Sequence, residues 1–168
     1  MKKINILKAI IDFIWIITVP IMAPLTLFFV IALFFDGLML IDFEFLGIKL
    51  LENDLFAKIL LAIQGSNFLL VIYCLHLFRK VLAYFKKVKI FDAFIIASFN
   101  KIGAFLIISG MITLVEGTIA RIYLKGQITI EIGFQSSLLI IGLGLFFQIL
   151  SEIFAIAKNA KQENNLTI

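Results

Sequence analysis

Four long apolar stretches, each almost free of charge, cover residues 10–35, 59–78, 102–120 and 134–157. Crossing a hydrocarbon core of about 30 Å takes roughly 20 mostly apolar residues in a helix, so each stretch predicts a transmembrane helix. Between them the periodicity changes. Asp42-Phe43-Glu44-Phe45 alternates polar and apolar residues, with Gly47 supplying a turn before residues 48–51. Gln127-Ile128-Thr129-Ile130-Glu131-Ile132 alternates in the same way after Gly126. Alternation of period two beside a turn residue predicts hairpin strands. A lone hairpin is marginal in water, so the two outer loops, 36–58 and 121–133, are expected to pair as one small sheet. The predicted fold is all-α and integral to the membrane: a four-transmembrane-helix bundle with a small extracytoplasmic β-hairpin cap, in a single domain over 1–168.

The connection over 79–101 has a helical pattern of its own. Val81, Leu82, Phe85 and Val88 fall on one stripe, and Lys80, Lys86, Lys87 and Lys89 fall off it, so helix 2 is expected to continue past the membrane. Asp92 is placed to cap a new helix that leads through Phe94, Ile95, Ala97, Ser98 and Phe99 into span 3. Helices 2 and 3 are thus predicted to form a hairpin that projects beyond the bilayer, with the segment 158–168 as a tail beside it.

Composition agrees with the spans. Apolar residues make up 62% of the 168 and charged residues 15%, too oily for a water-soluble core and shell. The first stretch follows Lys2, Lys3 and Lys8, as a signal peptide would. At about 26 residues it is long for a signal's apolar region, and no small-x-small cleavage site follows, so it reads as a retained helix. The net charge of +4 becomes informative when it is divided by loop. Lys2, Lys3, Lys8, Arg79, Lys80, Lys86, Lys87, Lys89, Lys101, Lys158 and Lys161 lie on one side, and Lys49, Lys58, Arg121 and Lys125 on the other. Basic residues near span ends are retained in the cytoplasm. Both termini and the 79–101 connection are therefore expected inside a bacterial cytoplasmic membrane, with Asp36, Asp42, Glu44, Glu52 and Asp54 outside. Basic residues so close to a bilayer meet anionic headgroups first, which argues against direct nucleic-acid binding.

Polar residues inside the spans are the candidate chemistry, because they are costly there. Asp12 and Glu152 lie about one turn inside the inner ends of spans 1 and 4. They read either as part of a cation pathway or as interfacial charges that pair with Lys8, Arg79 or Lys158. Glu116 and Arg121 read as a charge pair near the outer end of span 3. Gln64, Ser66 and Asn67 make the outer half of span 2 polar, consistent with hydrogen bonds between helices. Ser109, Thr113 and Gly117, at i, i+4 and i+8, give span 3 a small-residue face that predicts a close helix contact. Pro20 and Pro24 are expected to bend span 1. Cys74 and His76 are the only residues of their kinds and point to different faces of a helix, which argues against a zinc site or a nucleophilic dyad. Cys74 reads as packing, and His76 beside Arg79 as a candidate pH-responsive group. Gly142-Leu143-Gly144 lacks a preceding strand and a phosphate-loop lysine, so it too reads as packing. No catalytic residue, cofactor or metal is expected.

Two segments carry a family resemblance. Phe91, with Phe99-Asn100-Lys101-Ile102-Gly103 opening span 3, and Glu152-Ile153-Phe154 followed by the tail Ala160-Lys161-Gln162-Glu163-Asn164-Asn165-Leu166-Thr167-Ile168 resemble the YoaS-like bacterial four-span membrane proteins of unknown function. Members of that family end on a glutamate-rich stretch closing in Leu-Thr-Ile, and here Asn164 and Asn165 replace part of the acidic run. The resemblance implies a four-helix inner-membrane protein with no established enzyme activity, often encoded beside a Cro/CI-type helix-turn-helix regulator.

Three functions follow as expectations. The first is a membrane-bound regulatory or sensory partner of a cytosolic helix-turn-helix regulator acting in trans, with Arg79, Lys80, Lys86, Lys87, Lys89, Leu166, Thr167 and Ile168 as contacts to partner or lipid. The second is a small transporter or channel subunit, with Asp12, Asn67 and Glu152 as intramembrane polar residues. The third is a lipid-sensing accessory protein. The partners these readings admit are the lipid bilayer, the regulator and a second copy of the chain.

Overall fold

The computed structural model describes residues 2–34, 44–45, 48–49, 55–88, 90–125 and 136–166. Four long helices account for nearly all of them: α1 (Lys2–Phe34), α2 (Leu55–Lys86), α3 (Ala93–Lys125) and α4 (Ser136–Leu166). Each carries a segment long and apolar enough to cross a membrane, over Lys2–Met22, Lys58–Lys86, Ala93–Ala120 and Ser137–Asn164. The chain is a multi-pass membrane protein.

Among the described residues the strands amount to one short pair. β1 (Glu44–Phe45) pairs antiparallel with β2 (Ile48–Lys49), so that Glu44 faces Lys49 and Phe45 faces Ile48. Two residues per strand bury no face of their own, and the second alternating segment, 126–132, lies outside the described residues. The extracytoplasmic β-hairpin cap is therefore not supported.

The helices also depart from a symmetric bundle. Contacts follow chain order, α1 on α2, α2 on α3 and α3 on α4, with the α3–α4 pair the most extensive. One buried cluster joins the middle helices: Cys74, Leu77 and Val81 of α2 with Ile95, Phe99, Ile102 and Leu106 of α3, flanked by Phe147, Leu150 and Phe154 of α4. α2, α3 and α4 thus share a core, and α1 lies against α2. Apolar side chains of α1 such as Phe13, Ile16 and Leu27 are about two-thirds exposed. In water such a surface would be untenable, whereas against lipid it needs no protein partner. α1 runs unbroken through Pro20 and Pro24.

The α3–α4 approach is close because glycines line it. A Cβ at Gly103 would sit 2.7 Å from the Gly144 carbonyl oxygen, and one at Gly144 would sit 2.8 Å from the Gly103 carbonyl oxygen. At Gly110 it would meet the Ser137 carbonyl oxygen at 2.9 Å. Packing of this kind, backbone against backbone, is how membrane helices gain contact without a hydrophobic driving force. The face expected at Ser109, Thr113 and Gly117 is different. Its first two residues meet α2, while a Cβ at Gly117 would touch nothing within 4 Å, as at Gly142.

α2 and α3 meet in a tight turn. Backbone N–H groups of Lys87 and Val88 donate to the Tyr84 and Phe85 carbonyls, both at 3.0 Å, and close the end of α2. Val88 adopts φ 61°, an uncommon left-handed conformation for a β-branched residue, and is 59% exposed. It therefore belongs to the turn, and the expected helical stripe ends with Phe85. The Asp92 Oδ1 then accepts from the Phe94 N–H at 2.8 Å and caps α3, as its residue type predicts.

Candidate functional site

Relative to the α2–α3 turn the molecule has two ends, and each gathers a different set of residues. At the turn end, α2 and α4 rise beside the start of α3, and aromatic rings fill the space between them. Phe99 lies 5.7 Å from Phe147, 5.6 Å from Phe154 and 6.1 Å from Phe85. Tyr84 stacks on Phe94 at 4.7 Å, and Phe91 of the turn reaches Phe154 at 6.4 Å. Lys161 Nζ lies 5.4 Å from the centre of the Phe91 ring, and the Ser151 hydroxyl donates to the Ile96 carbonyl at 2.8 Å. The segment 158–166, expected as a tail, continues α4 as helix to Leu166.

The candidate contact residues at this end divide in two. Arg79 faces α1: its Nε donates to Asp12 Oδ1, and its guanidinium lies 5.8 Å from the Trp15 ring centre. Lys8 Nζ donates to the other Asp12 oxygen. His76 stands beside the same ring, 4.9 Å between centroids. Asp12 is thus held between two cations, and together these groups fasten α1 to α2. Lys80, Lys86 and Lys87 are exposed. Lys89, Thr167 and Ile168 lie outside the described residues, as does the side chain of Leu166. Glu152 is exposed on α4, away from Asp12, and the two are not brought together. Cys74 packs in the core, its Sγ 3.9 Å from the Ile102 carbonyl.

Beyond Cys74 the α2–α3 seam turns polar. The Asn67 amide Nδ2 donates to the Ser109 carbonyl at 3.2 Å and to the Thr113 hydroxyl at 3.0 Å, and Thr113 itself donates to the Ser109 carbonyl at 3.0 Å. Asn67 and Glu116 are both buried, 4% and 3% exposed. Glu116 does not stand at a wet helix end, as its place in the sequence implied, and the side chain of Arg121 lies outside the described residues. Both Glu116 carboxylate oxygens, Gln64 Oε1, Asn67 Oδ1 and Ser109 Oγ are buried without a hydrogen-bond partner. Few buried polar atoms in a folded protein are left so. At the far limit of the seam Leu60 meets Ala120, with Phe56 against them.

The antiparallel register fixes who faces whom. Asn67 pairs with Thr113, and Leu60 with Ala120. Gln64 lies between the first members of these pairs and Glu116 between the second, so the two share one level. Sequence reasoning marked Gln64 and Asn67 separately from Glu116. The signal that joins them is the sum of residue numbers across an antiparallel pair.

Among the described residues no group of three or more His, Cys, Asp or Glu side chains could hold a metal ion. Residues 17–168 match the model of a family described as "Protein of unknown function (DUF2975)". No curated protein and no solved structure matches the chain.

Proposed function

The chain belongs to DUF2975, a family of proteins of unknown function, and within it we propose a regulatory role: a membrane anchor whose turn end holds a small cytosolic helix-turn-helix regulator in trans. The observation that carries this reading is the construction of the turn end. A mere connection between two spans needs a few flexible residues. Here α2 runs to Lys86, a capped α3 starts at Ala93, and α4 continues to Leu166, all three joined by the ring contacts of Phe85, Phe91, Phe99 and Phe154. A rigid platform offers a partner a preformed surface and lowers the ordering cost of binding.

The exposed Lys80, Lys86 and Lys87 give that surface a positive rim. Arg79 leaves the set of contacts because Asp12 and Trp15 occupy it. The loop distribution of Lys and Arg supports a cytoplasmic turn end and cytoplasmic termini in a bacterial inner membrane. The resemblance of the Leu166-Thr167-Ile168 ending to the YoaS-like family supports a regulator as the partner. No enzyme activity is proposed.

The test is recovery of the tagged protein from its own host in mild detergent, with mass spectrometry of what stays bound, beside a variant lacking 166–168. A small helix-turn-helix protein retained by the intact chain and lost from the truncated one is the expected result. Its absence from both samples, or equal recovery in both, would overturn the proposal.

A further inference from the structure

The oxygen-rich half of the α2–α3 seam has no role in holding a regulator, and its chemistry is one-sided. Glu116 brings two carboxyl oxygens, and Gln64 and Asn67 bring one amide oxygen each; none of these four atoms has a hydrogen-bond partner. The Asn67 amide nitrogen is already spent on the Ser109 carbonyl and the Thr113 hydroxyl, which fixes its flip and turns Oδ1 away from them. The nearest basic residues in sequence are Lys58 on α2 and Arg121 on α3, six (64 − 58) and five (121 − 116) positions away. Among the described residues no side chain gives the Glu116 oxygens a hydrogen bond. A buried carboxylate is retained in a folded protein when it is paired, coordinated or neutralised. Among the described residues this seam supplies acceptors, and no cation is hydrogen-bonded to Glu116.

We propose that the seam binds a sodium ion, with Glu116 as its charged ligand and Gln64 Oε1 and Asn67 Oδ1 as neutral ones. The register supports a shared ion. Gln64 and Asn67 are three residues apart, as are Thr113 and Glu116, so the two levels differ by about 4.5 Å along the helices. Ser109 lies seven residues from Glu116, about 10 Å away along α3, and stays outside the site. Hard oxygen ligands select a hard cation. A single carboxylate balances one charge, whereas calcium takes six to eight oxygens, and magnesium an octahedron that it usually completes with water. Few ligands from two closely packed helices fit the smaller of the common monovalent ions. Placing the ion between helices, toward the ends of both spans that lie far from the turn, gives the ionisable residue there the role such residues commonly have in membrane proteins.

The experiment uses the full chain, purified in mild detergent at pH 8 and constant ionic strength, with choline chloride replaced stepwise by sodium chloride. Thermal unfolding of the parent is expected to rise saturably with sodium and to stay flat when potassium replaces it. Glu116→Gln should lose the rise, and Gln64→Leu should shift its midpoint at least tenfold to higher sodium. If Glu116→Gln does not fold, equilibrium binding of radioactive sodium to the parent and to Gln64→Leu gives the same comparison. A parent indifferent to sodium, a response that potassium reproduces, one that follows pH alone, or a Glu116→Gln variant that responds like the parent would each overturn the proposal. Loss or recovery of a regulator at the turn end bears on none of these readings.

Discussion

The two ends of the α2–α3 seam are built on opposite terms. Near the turn, Val81 and Ile95 are 0% exposed, Phe99 is enclosed by three other rings, and the Asp92 carboxylate caps α3. At the other end the apolar cluster among the described residues is Leu60 and Ala120 with Phe56 beside them, next to unpartnered oxygens. The same pair of helices is therefore a tight joint at one end and a strained polar seam at the other. Tolerating buried unsatisfied groups costs about 1–3 kcal/mol each. A fold that keeps several in one place, while packing its other end so fully, concentrates its stability at the turn end and leaves the other end open to stabilisation by a bound ligand.

The largest effect is expected at the joint. Phe99→Ala removes a ring that α2 and α4 both contact, and core aromatic truncations cost about 3–5 kcal/mol. Melting of the detergent-solubilised variant should fall by roughly 10 °C, at about 3 °C per kcal/mol for a chain of this size. Phe56→Ala, at the sparse end, should lose less than half as much. Equal losses would break the contrast between the two ends.

Much of this was legible in the residues and part was not, for physical reasons. The spans are legible because lipid imposes both a length and a composition. Helix ends are less so: the apolar stretch at 59–78 marks the membrane-length core of α2, but the helix runs from Leu55 to Lys86, because its later turns pack on α3 and α4 as well as facing solvent. Asp92 was readable as a cap because the interaction is local. Val88 was not readable as a turn residue, since its type favours strands and its φ is imposed by the chain reversal. Alternation did not warrant a cap, because it records which residues can pair and not whether a second sheet face exists to bury. Glu116 does lie near the end of its span, but its burial was not legible, because distance from the end of a span says nothing about which neighbouring helix covers the carboxyl group.

The glycines sharpen the comparison at intermediate size. Gly144→Ala places a methyl 2.8 Å from the Gly103 carbonyl oxygen and 2.9 Å from the Ile107 backbone nitrogen, atoms that cannot rotate away. Overpacking of this kind costs about 1–3 kcal/mol. Gly142→Ala, two positions earlier on the same helix, meets nothing within 4 Å. Replacing a helical glycine by alanine without a clash gains up to about 1 kcal/mol. Melting curves of the two variants should therefore move in opposite directions. Movement in the same direction would show that α3 and α4 do not cross at Gly103 and Gly144.

The smallest shift is expected at the polar end, and its sign is the informative part. Glu116→Leu keeps a side chain of similar bulk and removes two buried oxygens that have no partner. Replacing an unsatisfied polar group by an apolar one of similar shape is neutral or stabilising. In sodium-free buffer the variant should melt about 3 °C above the parent, a gain of roughly 1 kcal/mol. Sodium should then close the gap from below, raising the parent and leaving the variant where it is, because an ion that binds the folded state alone stabilises only the chain that can hold it. A variant less stable than the parent without sodium would mean that the carboxyl already has a partner in the folded protein. The seam would then be a second structural joint, and the contrast between the two ends would reduce to one of residue type.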